Sequence, residues 1–353
     1  MTTMNTLALQ ILDTLSSSLG DSLSINQLTE RIRNKYGAAF YANTYKKLQD
    51  LKREGLLNLS TVGKSAVVRL NFQNYLLIDL LAEMEIAKKV QVLRERTELI
   101  TLLAELDESL SEKCSIKSVS AIDLGTNLKL NRIELLFLLR KASSLHNEAI
   151  ELCSEMQRLQ NKYNLRIDSL ILDENTFSSL LGPNEINPLR EALAKEVTLF
   201  CPQAFWSEIK RIIDETEIAF IQTEIKPAKI PELDTLYNLS RFGYKELGSV
   251  IEQGRKICIE YIVTALLLQT DARRVEAVPV LLAKNDFNSN LLAFLSQKFG
   301  TSGKLLGLLR ALQNIKPKRE VEETTKLLGI YGVKEMQVDE RSILERMRLY
   351  NAT

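Results

Sequence analysis

Between Asn26 and Arg69 the sequence sets nine basic side chains against three acids, Glu30, Asp50 and Glu54. The basic residues are Arg31, Arg33, Lys35, Lys46, Lys47, Lys52, Arg53, Lys64 and Arg69. That is an excess of six positive charges on a chain whose net charge is +1, so the remainder carries about −5. A local basic face on a near-neutral chain is the electrostatic footprint of nucleic-acid binding. A solvated helix surface accounts for the same charge, and charge alone does not choose between the two. Other chemistry is thin. The only histidine, His146, sits at a polar helix start and reads as a capping or surface residue. Cys114, Cys153, Cys201 and Cys258 lie far apart, without the close pairs of a zinc site. They read as reduced, mostly buried thiols of a cytoplasmic protein. No Ser/His/Asp arrangement, Walker loop or Gly-x-Gly-x-x-Gly motif occurs.

Apolar spacing supplies the elements that must carry the basic side chains. Leu7, Ile11, Leu12 and Leu15 recur at helical intervals and predict a first helix, stopped by the polar turn at 16–20. Ser24 is placed to cap a second helix over Ile25–Tyr36, with an apolar stripe of Ile25, Leu28 and Ile32. Gly37 then turns the chain. The stretch from Tyr41 to Leu57 predicts a third helix that buries Thr44 or Tyr45, Leu48 and Leu51 and stops at Gly55. It leaves Asn43, Lys46, Lys47, Asp50 and Arg53 facing outward. The next segment alternates apolar and polar residues around Gly63-Lys64, as a two-stranded hairpin does.

Three helices and a hairpin, with Leu48, Leu51 and Glu54-Gly55-Leu56-Leu57 in sequence, resemble the winged helix-turn-helix superfamily of transcription regulators over residues 5–71. The resemblance implies that the third helix enters the major groove of double-stranded DNA. It makes Asn43 and Lys46 the candidates for base contacts, since both side chains can read purine edges. Lys47, Lys52, Arg53, Lys64 and Arg69 would then hold phosphates. Winged helices also serve as protein–protein modules, in which the same cations are a solvated face.

From Asn74 to Glu112 there is no glycine or proline, and the segment reads as one long helix or two stacked ones. Its apolar side is Leu76, Leu77, Leu80, Leu81, Met84, Ile86 and Val90. Such a helix packs on the next domain, spaces it, or forms a dimerisation seam. Strand patterns follow around Ile116, Val119 and Ala121, over Arg132–Leu139 and over 164–172. Gly125-Thr126 separates the first two, and a helix carrying His146, Ala149, Leu152 and Met156 separates the last two. This order resembles the minimal nucleotidyltransferase fold over about residues 85–215. In that family a Gly-Ser turn admits the triphosphate, and an Asp-x-Asp pair with a third carboxylate holds Mg²⁺. The matching positions here are Gly125-Thr126, Arg132 and Glu134, and Asp168. Arg132 puts a cation where a metal ligand belongs, so the resemblance implies a fold retained and an activity lost. Mg²⁺ and a nucleoside triphosphate enter only if Glu134 and Asp168 are catalytic; otherwise no cofactor and no metal are expected. A generic α/β domain with strand-end acids accounts for the same residues.

The segment Pro227–Pro231 reads as a stiff break. Beyond it the pattern is helical, and the stretch 255–269 is apolar on nearly every side, as the centre of a bundle would be. Lys316-Pro317-Lys318-Arg319 is a small basic patch, read chiefly as a solvated turn. With 353 residues and few glycines and prolines, the chain is expected to be mainly α with a smaller α/β part. Three domains are anticipated: 1–73, a winged helix; 74–226, a long helix and the nucleotidyltransferase-like part; 232–353, a helical bundle. No apolar run reaches the roughly 18 residues of a membrane span, and the N-terminus lacks the pattern of a signal peptide. The expected function is a cytoplasmic DNA-binding regulator whose other domains serve dimerisation, sensing or capture of a protein partner. The alternatives are a divergent Mg-dependent nucleotidyltransferase and an antitoxin-like interaction scaffold.

Overall fold

The computed structural model describes residues 6–353 apart from 64, 112–114, 141–144, 183–184, 222–223, 246–250 and 252. Among these residues the chain is mainly helical with a smaller strand content, and it forms two compact units. Unit 1 gathers residues 1–124, 181–183 and 189–223; unit 2 gathers 125–180, 184–188 and 224–353.

Unit 1 begins with α1 (Thr6–Ser16), β1 (Leu23–Ser24), α2 (Ile25–Tyr36), α3 (Tyr41–Arg53), β2 (Leu57–Val62) and β3 (Ser65–Leu70). Local chemistry sets these bounds. The Ser24 hydroxyl accepts from the Gln27 N–H while the Gln27 side chain accepts from the Ser24 N–H, a reciprocal box that starts α2. Gly37, at φ 89°, ends α2 in the left-handed conformation that side-chain-bearing residues avoid. The Arg33 guanidinium then binds the Ala39 carbonyl through two nitrogens at 3.2 Å and fixes the turn into α3. β2 and β3 pair antiparallel from Leu57↔Leu70 to Val62↔Ser65, and β1 adds to the other side of β3 at Leu23↔Val68. Ile11, Leu12, Leu28, Ile32, Leu48, Leu51, Leu56 and Val68 fill the space between helices and sheet.

The connector is two helices, α4 (Leu76–Glu95) and α5 (Glu98–Ser111). Of its expected apolar side, Leu77, Leu81 and Met84 are buried, whereas Leu76, Ile86 and Val90 are exposed. The reason is that α4 buries Glu85 together with its leucines, which turns Ile86 and Val90 outward. β4 (Ile116–Ile122) pairs antiparallel with β7 (Glu196–Phe200), and α10 (Pro202–Glu215) packs on β4, β7 and α4.

Unit 2 is built on a parallel pair, β5 (Arg132–Leu139) and β6 (Arg166–Asp173), joined through α7 (Leu145–Tyr163). The short helix α6 (Leu124–Lys129) leads into β5 and α8 (Glu174–Leu181) follows β6, whereas α9 (Leu189–Ala194) falls in unit 1, just before β7. A single 3-10 turn at Pro227–Lys229 precedes the bundle helices α11 (Glu232–Arg241), α12 (Ile259–Leu267), α13 (Ala272–Val275), α14 (Ala277–Lys284), α15 (Ser289–Lys298), α16 (Ser302–Ile315), α17 (Arg319–Ile330) and α18 (Glu340–Leu349). Every residue of α12 is buried, Glu260 and Thr264 included, as a stretch apolar on nearly every side predicts. Gly307 of α16 lies against the Met336 carbonyl, so the extended segment before α18 runs close over that helix.

Candidate nucleic-acid interface

Thr44, Leu48 and Leu51 anchor α3, which leaves Tyr45 exposed. On its outer face Asn43, Lys46, Lys52 and Arg53 are exposed and Lys47 is half-buried. The structure separates the basic residues of the region into two classes. Arg31 pairs with Asp21 at 3.0 Å, Lys35 with Asp13 at 2.5 Å and Arg53 with Asp50 at 2.9 Å. Arg33 is held by the Ala39 carbonyl, and Arg69 on β3 donates to the Ser22 hydroxyl at 2.8 Å. Lys46, Lys47 and Lys52 have no ion-pair partner among the described residues. The free cations therefore concentrate on one helix, beside the exposed amide of Asn43. Lys64, the expected phosphate contact in the hairpin, lies outside the described residues. Phe40, Tyr41 and Tyr45 surround the N-terminal turn of α3 and are all exposed, with the two tyrosine rings stacked at 6.1 Å.

A second polar site in unit 1 escaped the sequence reading. A cavity of about 320 Å³ is lined by Asp13, Tyr36, Glu85, Lys88, Glu196 and Trp206, among others. Asp13 of α1 forms close ion pairs with Lys35 and with Lys88 of α4, each at 2.5 Å, and accepts from the Tyr36 hydroxyl. Lys88 also binds Glu85 at 2.9 Å, and the Glu85 carboxylate accepts from the Thr198 N–H at 2.9 Å. Burial pushes the Asp13 carboxyl up, but the ammonium groups of Lys88 and Lys35 outweigh it and hold the group at about 2. Glu196 is the opposite case. Burial drives its carboxyl well above the usual range, and the nearby Glu85 charge adds to the rise. The Ser120 and Thr198 hydroxyls beside it pull the other way, yet neither reaches hydrogen-bond geometry, and both carboxyl oxygens lack a partner. Glu196 is thus a buried acid shifted towards its protonated form. Burial and then the Asp13 charge push the Tyr36 phenol up. The one signal in the sequence was an acid, Asp13 or Glu85, set inside an otherwise apolar helical stripe.

In unit 2 the parallel register sets Glu134 directly opposite Asp168, and both are 2% exposed. The two carboxylates do converge, but cations occupy them. Arg132 bridges both, with its Nε 2.8 Å from Asp168 and another guanidinium nitrogen on Glu134. Lys298 of α15 binds Glu134 at 2.6 Å, and Arg166 binds Asp168 at 3.1 Å. Burial pulls the Arg132 guanidinium down, and the Asp168 charge works against that pull. With every carboxylate engaged, the pair presents no open donor set for a divalent ion. Gly125-Thr126 is not a strand-end turn either. Asp123, at φ 45°, breaks the strand, and buried Leu124 and Leu128 at helical spacing draw the glycine into the first turn of α6. A side chain at Gly125 would meet nothing within 4 Å, so the position cradles no group. His146 lies half-buried in the first turn of α7. Cys153 and Cys258 are buried and Cys201 is exposed; Cys114 lies outside the described residues. The basic patch before α17 is absorbed internally: Lys318 caps carbonyls of Leu282 and Asn285, and Lys316 that of Ala352.

Among the described residues no group of three or more His, Cys, Asp or Glu side chains is placed to hold a metal ion. No helix among them is long and apolar enough to cross a membrane. Compared with the models of known families, with curated proteins and with solved structures, the chain matches none.

Proposed function

We propose that the chain is a DNA-binding protein of the winged-helix kind, acting as a transcriptional regulator. The observation that carries this reading is the unpaired set Lys46, Lys47 and Lys52 on the outer face of α3, next to exposed Asn43. Arg31 and Lys35 of neighbouring α2 are drawn into ion pairs, whereas these three lysines stay available to an external anion. The order of elements supports it too: α3 is followed at once by the β2–β3 hairpin, with Arg69 exposed on it. On this reading Asn43 and Lys46 meet base edges, while Lys47, Lys52, Arg53 and Arg69 hold phosphates. The cavity lined by Asp13 of α1 and by Lys35 and Tyr36 of α2 lies in the same unit and would be where a regulator couples sensing to DNA.

We read β5–α7–β6 as a non-catalytic part of that regulator, descended from or resembling a nucleotidyltransferase core. Its support is the engagement of Glu134 and Asp168 by Arg132, Arg166 and Lys298. The test of DNA binding is fluorescence anisotropy of the full chain with a labelled random-sequence duplex, from about 50 to about 200 mM salt. Binding at low salt is expected, with a log–log salt slope that falls by about 0.9 for each phosphate-contacting lysine removed. Absence of binding at low salt, or an unchanged slope in the Lys46→Ala/Lys47→Ala/Lys52→Ala variant, overturns the reading.

A further inference from the structure

Three aromatic rings crowd the end of α3 that a groove-reading helix would present to DNA. Phe40 is 69% exposed, Tyr41 48% and Tyr45 44%. Phe40 occupies the N-cap position of α3, where its carbonyl accepts from the Thr44 N–H while its ring makes no capping bond and stands open to solvent. Tyr41 and Tyr45 stand one helical turn apart, stacked with ring planes 18° from parallel, and both rings stay partly open to solvent. Exposed aromatics of this size, clustered, mark a binding surface. Their neighbours identify the partner's chemistry. Lys46 and Lys47 follow directly, are free of ion pairs, and call for a polyanion; the rings call for flat, stackable groups on that polyanion. Asn43 lies on the opposite flank of the helix from the tyrosines, beside Lys46 and Lys47, and adds an amide able to bond a base edge.

We infer that the α3 surface of Phe40, Tyr41, Tyr45 and Lys46 binds DNA carrying unpaired bases, such as a bubble or fork, in preference to an intact duplex. The inference rests on the DNA-binding reading and sharpens its substrate. In an intact duplex the bases are stacked on one another and offer only their edges, so the rings gain little. Where bases are unpaired, one can stack on Tyr41 or Phe40 while the lysines hold the flanking phosphates.

The test compares the full chain on a labelled duplex and on the same duplex with a central run of mismatched thymines. The bubble is expected to bind about ten-fold more tightly, the scale of one stacked base. The Phe40→Ala/Tyr41→Ala variant is expected to bring bubble affinity down to that of the duplex. All these rings are exposed, so the variant folds, and circular dichroism checks that it does. Tyr75→Ala, an exposed ring next to Asn74 at the other, C-terminal end of α3, serves as control and should leave the preference intact. Equal affinity for the two DNAs, or a preference that survives in Phe40→Ala/Tyr41→Ala, overturns the inference while DNA binding itself stands. Binding to neither DNA sinks both. If sedimentation shows a dimer that Phe40→Ala/Tyr41→Ala splits, with no bubble preference, the surface belongs to a second copy and the inference is wrong.

Discussion

The outer face of α3 and the β5–β6 pair were both singled out by charged residues, and the fold treats the two groups in opposite ways. On α3, Lys46, Lys47 and Lys52 stay unpaired and face solvent. Between β5 and β6, two carboxylates meet three cations and every charge finds its opposite. Buried charge must be matched within the protein, because unmatched burial costs several kcal/mol per ion. Exposed charge is already matched by water, and so remains available to a partner. Pairing, then, distinguishes a charge that holds the structure from one that can act on something else.

If that contrast is right, mutations at the two places should fail in different assays. Asp168→Ala leaves Arg132 and Arg166 without their shared carboxylate. It is expected to lower stability by about 3–5 kcal/mol, the cost of breaking a buried pair from one side. Urea unfolding of the full chain measures this, and a loss under about 1 kcal/mol would mean that the cluster is not structural. DNA affinity at a temperature where the variant stays folded should not move. Lys46→Ala/Lys47→Ala is the converse. Stability should stay within about 0.5 kcal/mol, as for surface substitutions generally. Duplex affinity at low salt should drop by roughly ten-fold or more, at the scale of 1 kcal/mol for each lost charge contact.

The elements of the α3 region were legible because their signals are local. The Ser24–Gln27 box and Gly37 bound α2 within the sequence itself, and the predicted range Ile25–Tyr36 is the one observed. Likewise the stretch 255–269, apolar on nearly every side, holds a wholly buried helix, though a shorter one that starts only at Ile259 and ends at Leu267. What could not be read was pairing between distant segments. Lys298 reaches Glu134 across 164 positions, and no periodicity announces it. The cavity of Asp13, Glu85 and Glu196 draws on α1, α4 and β7, each of which looks self-sufficient. Gly125-Thr126 has the composition of a turn, but the buried leucines at 124 and 128 dictate a helix. The choice between Thr44 and Tyr45 also stayed open in the sequence. Packing settled it for Thr44, and so freed the ring of Tyr45.

The cavity in unit 1 lies between the two extremes, since it holds paired and unpaired acids together, and pH separates them. Asp13 is held at about 2, below its ordinary 3.8. Between those values the unfolded chain binds more protons, so this group's stabilisation is complete above about pH 4 and is lost as pH falls through about 2. Glu196 is raised above its ordinary 4.5, so above that value the folded chain holds the extra proton, and stability falls as pH rises. Glu196→Gln keeps the shape and removes the titration. It is expected to flatten the decline above pH 4.5 and to stabilise the chain at pH 8, on the order of 1 kcal/mol, one buried polar group's worth. Thermal unfolding at pH 5 and pH 8 reads it out. A wild-type chain equally stable at both, with Glu196→Gln no different, would show that Glu196 ionises freely. Asp13→Asn should act on the acid side instead, removing the loss below pH 4.

The finest test lies within α3, where one cation is paired and three are not. Arg53 is held by Asp50 at 2.9 Å in an exposed i,i+3 pair, worth no more than about 0.2–1 kcal/mol. A phosphate must compete with Asp50 for that guanidinium, and Asp50 also puts a negative charge on the face that DNA would approach. Arg53→Ala should therefore weaken duplex binding less than Lys46→Ala does, by about two- to three-fold at low salt. Asp50→Asn should do the reverse and strengthen binding by a similar factor, since it frees Arg53 and removes the repulsion. Both effects should vanish near 1 M salt, where the screening length falls to about 3 Å. If Asp50→Asn leaves affinity unchanged while Lys46→Ala lowers it, the DNA contacts are confined to the N-terminal half of α3. If Asp50→Asn weakens binding, Asp50 itself accepts from the DNA, and pairing within this helix is not what sorts its charges.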